Sequence, residues 1–194
     1  MDKNIINKKI IVIGIGNPGK EFENTYHNVG IMTVDKIIQN KKEKNEFAVE
    51  KWKEEKTFSY TKYENIIFAK SKTFMNESGK AVSAIVKTFN IPKENIIVIH
   101  DDSDILIGNM KISFDKSSAG HKGVQSIINA LLSKRFLRFR IGTRPENEKL
   151  RKKAGDFALN KIKSTDSKKL ELVIEKIENE IETIINNPQK INLQ

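Results

Sequence analysis

The sequence predicts an α/β fold: a single three-layer domain, with a mixed, mostly parallel sheet between helices and a long C-terminal amphipathic helix. Three observations predict it. Short β-branched runs such as KKIIVIG (8–14) and NIIVI (95–99) have the length of strands, and their unbroken apolarity marks strands buried on both faces. Segments with apolar residues at three- and four-residue spacing alternate with these runs, as a sheet with helical layers requires. The 194 residues can bury one sizeable core and would be cramped as two, so the domain is taken as 1–194.

Each element has a local reason. The first strand covers about Lys9 to Ile13 and ends in glycine. After a polar loop, Val29 to Gln39 has helical spacing with Met32, Val34 and Ile37 near one face, and Asn28 is placed to cap it. NEFAVEKW (45–52) and KTFSYTKY (56–63) alternate roughly, which predicts two antiparallel strands. NIIFAK (65–70) is a buried strand. Asn76 then opens a helix through Val82, Ile85, Val86 and Phe89. Ile96 to Ile99 is a strongly apolar strand, and LIGNMKISFD (106–115) contains another. A Ser/Gly loop, SSAGHKG (117–123), precedes a helix from Val124 to Leu132, and RFLRFRIGTRP (135–145) holds an alternating strand. From Ser164 to Asn187, Leu170, Val173, Ile174, Ile177, Ile181, Ile184 and Ile185 form one stripe of a long helix, with Lys and Glu on the other faces.

Composition narrows the chemistry. The net charge of +10 suits an anionic partner such as nucleic acid, although the many Lys, Ile and Asn residues also look like a compositional habit. With no cysteine, a thiol nucleophile, a disulfide framework and Cys-ligated metal are excluded. No apolar run approaches the ~20 residues of a spanning helix, so a soluble, cytoplasmic chain with no membrane partner is expected.

The loop IGIGNPGKEFENTYHNVG (13–30) poses the functional question. Gly14, Gly16 and Gly19 match the spacing of a dinucleotide cradle, and Asp35 lies at a ribose-binding distance along the chain. Pro18 removes a backbone donor, however, and the helix starts about ten residues too late to face a pyrophosphate. The other reading puts Asn17 at the strand's C-terminal end and His27, one of three histidines, at the loop's return. Met75 and Asn76, Asp101, and His121 lie after other strands. If those ends share one rim, a histidine, an aspartate and two asparagines converge on a cleft. His27, His100, His121 and Asp101 match no metal-motif spacing, and no Gly-x-Ser-x-Gly elbow occurs.

IGIGNPGKEFENTYHNVG, TFMNESGKAV, HDDSDI and SSAGHKGVQSI resemble, in order, the signature blocks of bacterial peptidyl-tRNA hydrolase. RFRIGTRP and the weaker AGDFAL (154–159) extend the likeness. The resemblance implies hydrolysis of the ester between a peptide and the 3′ ribose of tRNA, by a cytoplasmic monomer without metal or cofactor. It implies that His27 is the general base and Asp101 its carboxylate partner. Asn17 and Asn76 would hold the substrate carbonyl and its oxyanion, with Met75 as an apolar wall. Phe22 and Lys122 would border the substrate, and Arg140 would bind a tRNA phosphate. The usual basic partner of that arginine falls on Ser113, and Lys111, two residues away on the same strand face, is placed to substitute. Three residues depart from the family's pattern. Lys122 replaces asparagine in the Gly-His-Asn-Gly loop, Tyr26 replaces arginine, and Phe22 replaces tyrosine. Lys122 can donate but not accept, and its charge either opposes the imidazolium or meets a phosphate. An inactive tRNA-binding protein on the same scaffold is the competing expectation.

Overall fold

A computed structural model of the protein describes residues 9–45, 48–147 and 158–187. Its centre is the run of apolar strands. β1 (Ile10–Gly14), β4 (Ile66–Ser71), β5 (Ile96–Leu106) and β7 (Leu137–Arg144) lie side by side and parallel, in the order β4-β1-β5-β7. Their β-branched side chains alternate between two buried faces, so neither face tolerates water. The edges are antiparallel. β3 (Phe58–Tyr63) and the two-residue β2 (Lys53–Glu54) extend one side, and β6 (Met110–Phe114) closes the other against β7. Only the first of these antiparallel edges was legible in the alternation of the sequence.

Two helical layers complete the structure. α1 (Val29–Lys44) and α4 (Ser164–Asn186) cover one face, with Ile37, Val34, Val173, Ile177 and Ile181 packed on Val12, Phe68 and Phe139. α2 (Ser78–Phe89) and α3 (Lys122–Leu131) cover the other, packing Val82, Ile85 and Ile127 on Ile11, Ile13 and Val98. Each such buried aliphatic side chain contributes roughly 1.5–3 kcal/mol. α4 is also tied to α1 through a buried charge. Glu178 accepts a hydrogen bond from Asn40 at 2.8 Å, and its other oxygen lies 3.3 Å from the Lys41 ammonium.

Several expectations need correction. β5 does not stop at Ile99. His100, Asp101 and Asp102 continue the ladder opposite Arg140, Ile141 and Gly142, because backbone pairing does not require apolar side chains. Asn28 precedes α1 but makes no capping hydrogen bond. A 3-10 turn, Met75–Glu77, comes before α2, so Asn76 lies outside the α-helix proper. Of the strand expected over 45–52, residues 46–47 lie outside the described residues, and Val49 makes only an isolated bridge to Tyr63. Most of the block AGDFAL also lies outside them. Among the described residues, no helix is long and apolar enough to cross a membrane.

Candidate active site

The glycine loop is built for close packing. A Cβ on Gly14 would lie 2.2 Å from the carbonyl oxygen of Gly30, so the first turn of α1 sits directly on the end of β1. A Cβ on Gly16 would strike the Asn28 amide oxygen at 2.7 Å. That amide spans the loop. Asn28 Oδ1 accepts the Asn17 N–H at 2.7 Å, and Asn28 Nδ2 donates to the Asn17 carbonyl at 2.9 Å. The glycines thus serve a side-chain clamp between the two ends of the loop, where a dinucleotide cradle would need open backbone.

The clamp fixes Asn17, which in turn reaches a second strand end. The backbone N–H of Met75 donates to Asn17 Oδ1 at 2.7 Å. An N–H can only donate, so the atom facing it is the amide oxygen. The Asn17 Nδ2 donor is therefore turned away from Met75. Asn76, the next residue, is exposed, and its side chain makes no hydrogen bond among the described residues. Phe22 meets Phe74 edge-to-face with centroids 6.2 Å apart, so two loops carry aromatic rings beside Met75 and Asn76.

β5 supplies the charge. Asp101 is buried, and its Oδ1 accepts from His27 Nδ1 at 2.8 Å and from His121 Nε2 at 2.9 Å. Burial opposes ionisation of Asp101, but the two imidazoles overcome it and hold the carboxyl well below the usual carboxylate range. An ionised Asp101 only accepts, so His27 carries its proton on Nδ1 and keeps the Nε2 lone pair. The His27 side chain is 19% exposed against 5% for Asp101, so water reaches the imidazole and not the carboxylate. Burial lowers the His27 pKa and Lys122 lowers it slightly further. The Asp101 charge and the hydrogen bond to Asp101 together outweigh both, and the net shift is upward.

His121 is the residue that sequence reasoning left without a role. It opens α3, where its Nδ1 accepts the Val124 N–H at 3.2 Å. Its Nε2 must then carry the proton donated to Asp101. His100 supports the same strand end, donating from Nδ1 to the Asp101 carbonyl at 2.7 Å, and complete burial holds its pKa well below the ordinary histidine value. His121 lies against both of the others, with ring centroids 5.5 Å from His27 and 4.6 Å from His100. All three histidines of the chain therefore meet at one place.

His27, Asp101 and His121 each offer a ligand atom, all within 4.8 Å of one another. The donor set fits a cation poorly. The His121 Nδ1 lone pair is engaged by Val124, so its Nε2 has no lone pair for a metal unless the helix cap breaks.

Arg140 stands two strands from β1. Its Nε and Nη2 donate to Asp102 Oδ2 at 2.8 and 2.7 Å, and its Nη1 donates to Ser113 Oγ at 3.2 Å. Lys111, directly opposite Arg140 in the β6–β7 register, is exposed. Asp102 was not expected as a partner of Arg140. Its only signal was a second carboxylate beside Asp101.

Comparison with known proteins shows the family of the chain. The family described as peptidyl-tRNA hydrolase matches residues 11–193. A peptidyl-tRNA hydrolase of Rickettsia bellii is 37% identical over 180 residues, covering 92% of this chain and 94% of its own. One from Caldanaerobacter subterraneus subsp. tengcongensis is 42% identical over 177 residues, covering 89% and 95%. The crystal structure of peptidyl-tRNA hydrolase from Acinetobacter baumannii shares the fold, with a TM-score of 0.77 at 24% identity over 98% of this chain and 96% of that one.

Proposed function

Because the chain belongs to the peptidyl-tRNA hydrolase family, it is an ester hydrolase acting on peptidyl-tRNA, and we propose that His27 is the general base of the reaction. The observation that carries this reading is the His27–Asp101 pair, with the imidazole alone reaching solvent. His27 Nε2 takes a proton from water as the water oxygen attacks the ester carbonyl. Asp101 stabilises the imidazolium. The Asn17 amide N–H and that of Asn76 donate to the oxyanion, each worth ~3 kcal/mol when well placed. On collapse, the imidazolium returns the proton to the departing 3′ oxygen, releasing a peptide acid and tRNA. Met75 and Phe22 form apolar walls for the substrate. The enzyme needs no cofactor and works as a cytoplasmic monomer.

The test is cleavage of an N-blocked aminoacyl-tRNA with and without EDTA. Equal rates of tRNA release are expected. A rate lost on chelation and restored by zinc would replace the water-activating imidazole with a metal centre.

Two charged positions make separate predictions. Arg140 and Lys111 bind a phosphate of the acceptor end, Arg140 sharing its guanidinium with Asp102 and Ser113. Lys111 is the cleaner probe, because it is exposed. Lys111→Ala should leave Tm unchanged and reduce the slope of log affinity against log salt by roughly 0.7–0.9. An unchanged slope removes Lys111 from the interface. Lys122 is close enough to His27 to oppose its protonation. Lys122→Asn should therefore raise the midpoint of the acid limb of kcat/KM slightly and leave tRNA affinity within about twofold. A clear loss of affinity would assign Lys122 to phosphate instead.

A further inference from the structure

His27 is the middle residue of a three-residue 3-10 turn, Tyr26–Asn28. Asn28 fastens one end of that turn to Asn17. The other end is fastened to a part of the chain more than 130 residues away. Residues 160–166, leading into α4, run beside residues 21–26. The Tyr26 N–H donates to the Asn160 carbonyl at 3.2 Å, the Ile162 N–H donates to Asn24 at 2.8 Å, and Thr25 bridges Lys161 in antiparallel register. The Lys161 ammonium donates to the carbonyls of Glu21 and Glu23 at 2.9 and 2.6 Å.

The strongest contact uses the Tyr26 side chain. It is 1% exposed, and its hydroxyl donates to Asp166 Oδ2 at 2.5 Å, in the first turn of α4. The Lys163 N–H donates back to the same hydroxyl at 3.5 Å. Burial and the Asp166 acceptor push the Tyr26 pKa up to about 12, so the hydroxyl stays a donor throughout the working range. The Asp166 carboxylate lies where the positive end of the α4 dipole favours an anion.

We propose that Tyr26 and Asp166 are positioning residues for the reaction: their hydrogen bond ties the segment entering α4 to the catalytic turn and holds the His27 imidazole against Asp101. The proposal rests on His27 being the base. Loosening one end of a three-residue turn displaces its middle residue, and a shift of about an ångström at a catalytic group costs up to about a hundredfold in rate.

The experiment compares Tyr26→Phe, Asp166→Asn, Asp166→Ala and the Tyr26→Phe/Asp166→Ala double variant with wild type and His27→Ala. It reads kcat, KM and the NMR titration of the three histidines, with His27→Ala assigning the His27 signal. Tyr26→Phe should lower kcat about tenfold with KM within twofold, and move the His27 pKa downward as the Asp101 contact loosens. Asp166→Ala should match it, and the double variant should be no worse than either single change. Asp166→Asn, which keeps an acceptor, should fall between wild type and Tyr26→Phe. An unchanged kcat and His27 titration in Tyr26→Phe overturns the proposal, as does an additive, roughly hundredfold loss in the double variant. A dead His27→Ala beside a normal Tyr26→Phe refutes the tether alone. An active His27→Ala refutes the general-base reading instead, and the titration shift then still reports whether the tether positions the ring.

Discussion

His27→Ala is expected to lower kcat by about 10²- to 10⁴-fold, with Tm nearly unchanged. The imidazole is partly exposed and Asp101 keeps the hydrogen bond from His121, so little folding energy depends on His27. The pH dependence follows from the same contacts. As the proposed base, His27 works unprotonated, and Asp101 raises its pKa above the ordinary 6.5. kcat/KM should therefore climb about tenfold per pH unit on the acid side and level off above a midpoint higher than 6.5. Asp101→Asn separates charge from geometry. Both imidazoles address one oxygen, and His121 is locked as an Nε2 donor by Val124, so the amide oxygen of an asparagine would be held facing both N–H groups. The His27 tautomer survives and only the charge is lost. The expected loss is about 10- to 100-fold, with the midpoint moved to lower pH. That is well short of the ~10⁴-fold loss seen where an asparagine forces the wrong tautomer. A loss of that larger size would mean that His121 does not hold the orientation of the side chain at position 101.

The sequence discloses the contacts of this site unevenly. The parallel strands were legible because Ile10–Ile13 and Ile96–Ile99 are β-branched and apolar on both faces, a pattern that little besides a buried strand explains. The continuation of β5 through His100, Asp101 and Asp102 was not, because a polar stretch after an apolar strand reads as a turn until its partner strand is known. Asn28 shows the same limit at a single residue. An asparagine before a helix suits a cap, and nothing local reveals that Asn17, eleven residues back, offers it two better partners. Asp101 and His27 stand out as polar residues at a strand end and a loop's return, and their block patterns imply their roles. The role of His121 depends on where the start of α3 meets the end of β5, and that of Tyr26 on a contact across 140 residues. Local propensity decides the elements, whereas long-range pairing decides the site.

The second large effect concerns the oxyanion. In the proposed mechanism Asn17 has two jobs on one amide: its oxygen accepts the Met75 N–H, and its nitrogen donates to the oxyanion. Asn17→Asp keeps the first and removes the second, since a carboxylate still accepts from Met75 but offers the developing oxyanion a negative charge. At the alkaline plateau of the pH profile, kcat should fall by about 10²- to 10³-fold with Tm close to wild type. Asn17→Ala loses both jobs. It should match that fall in kcat and also lower stability by about 1–3 kcal/mol, because the buried Met75 N–H loses its acceptor. Asn76→Ala should cost activity without stability, its side chain being exposed and unbonded among the described residues. The comparison turns on Asn17→Asp. If its kcat stays within twofold of wild type while Asn17→Ala is unstable, the Asn17 amide serves only to hold Met75, and the oxyanion must be held by Asn76.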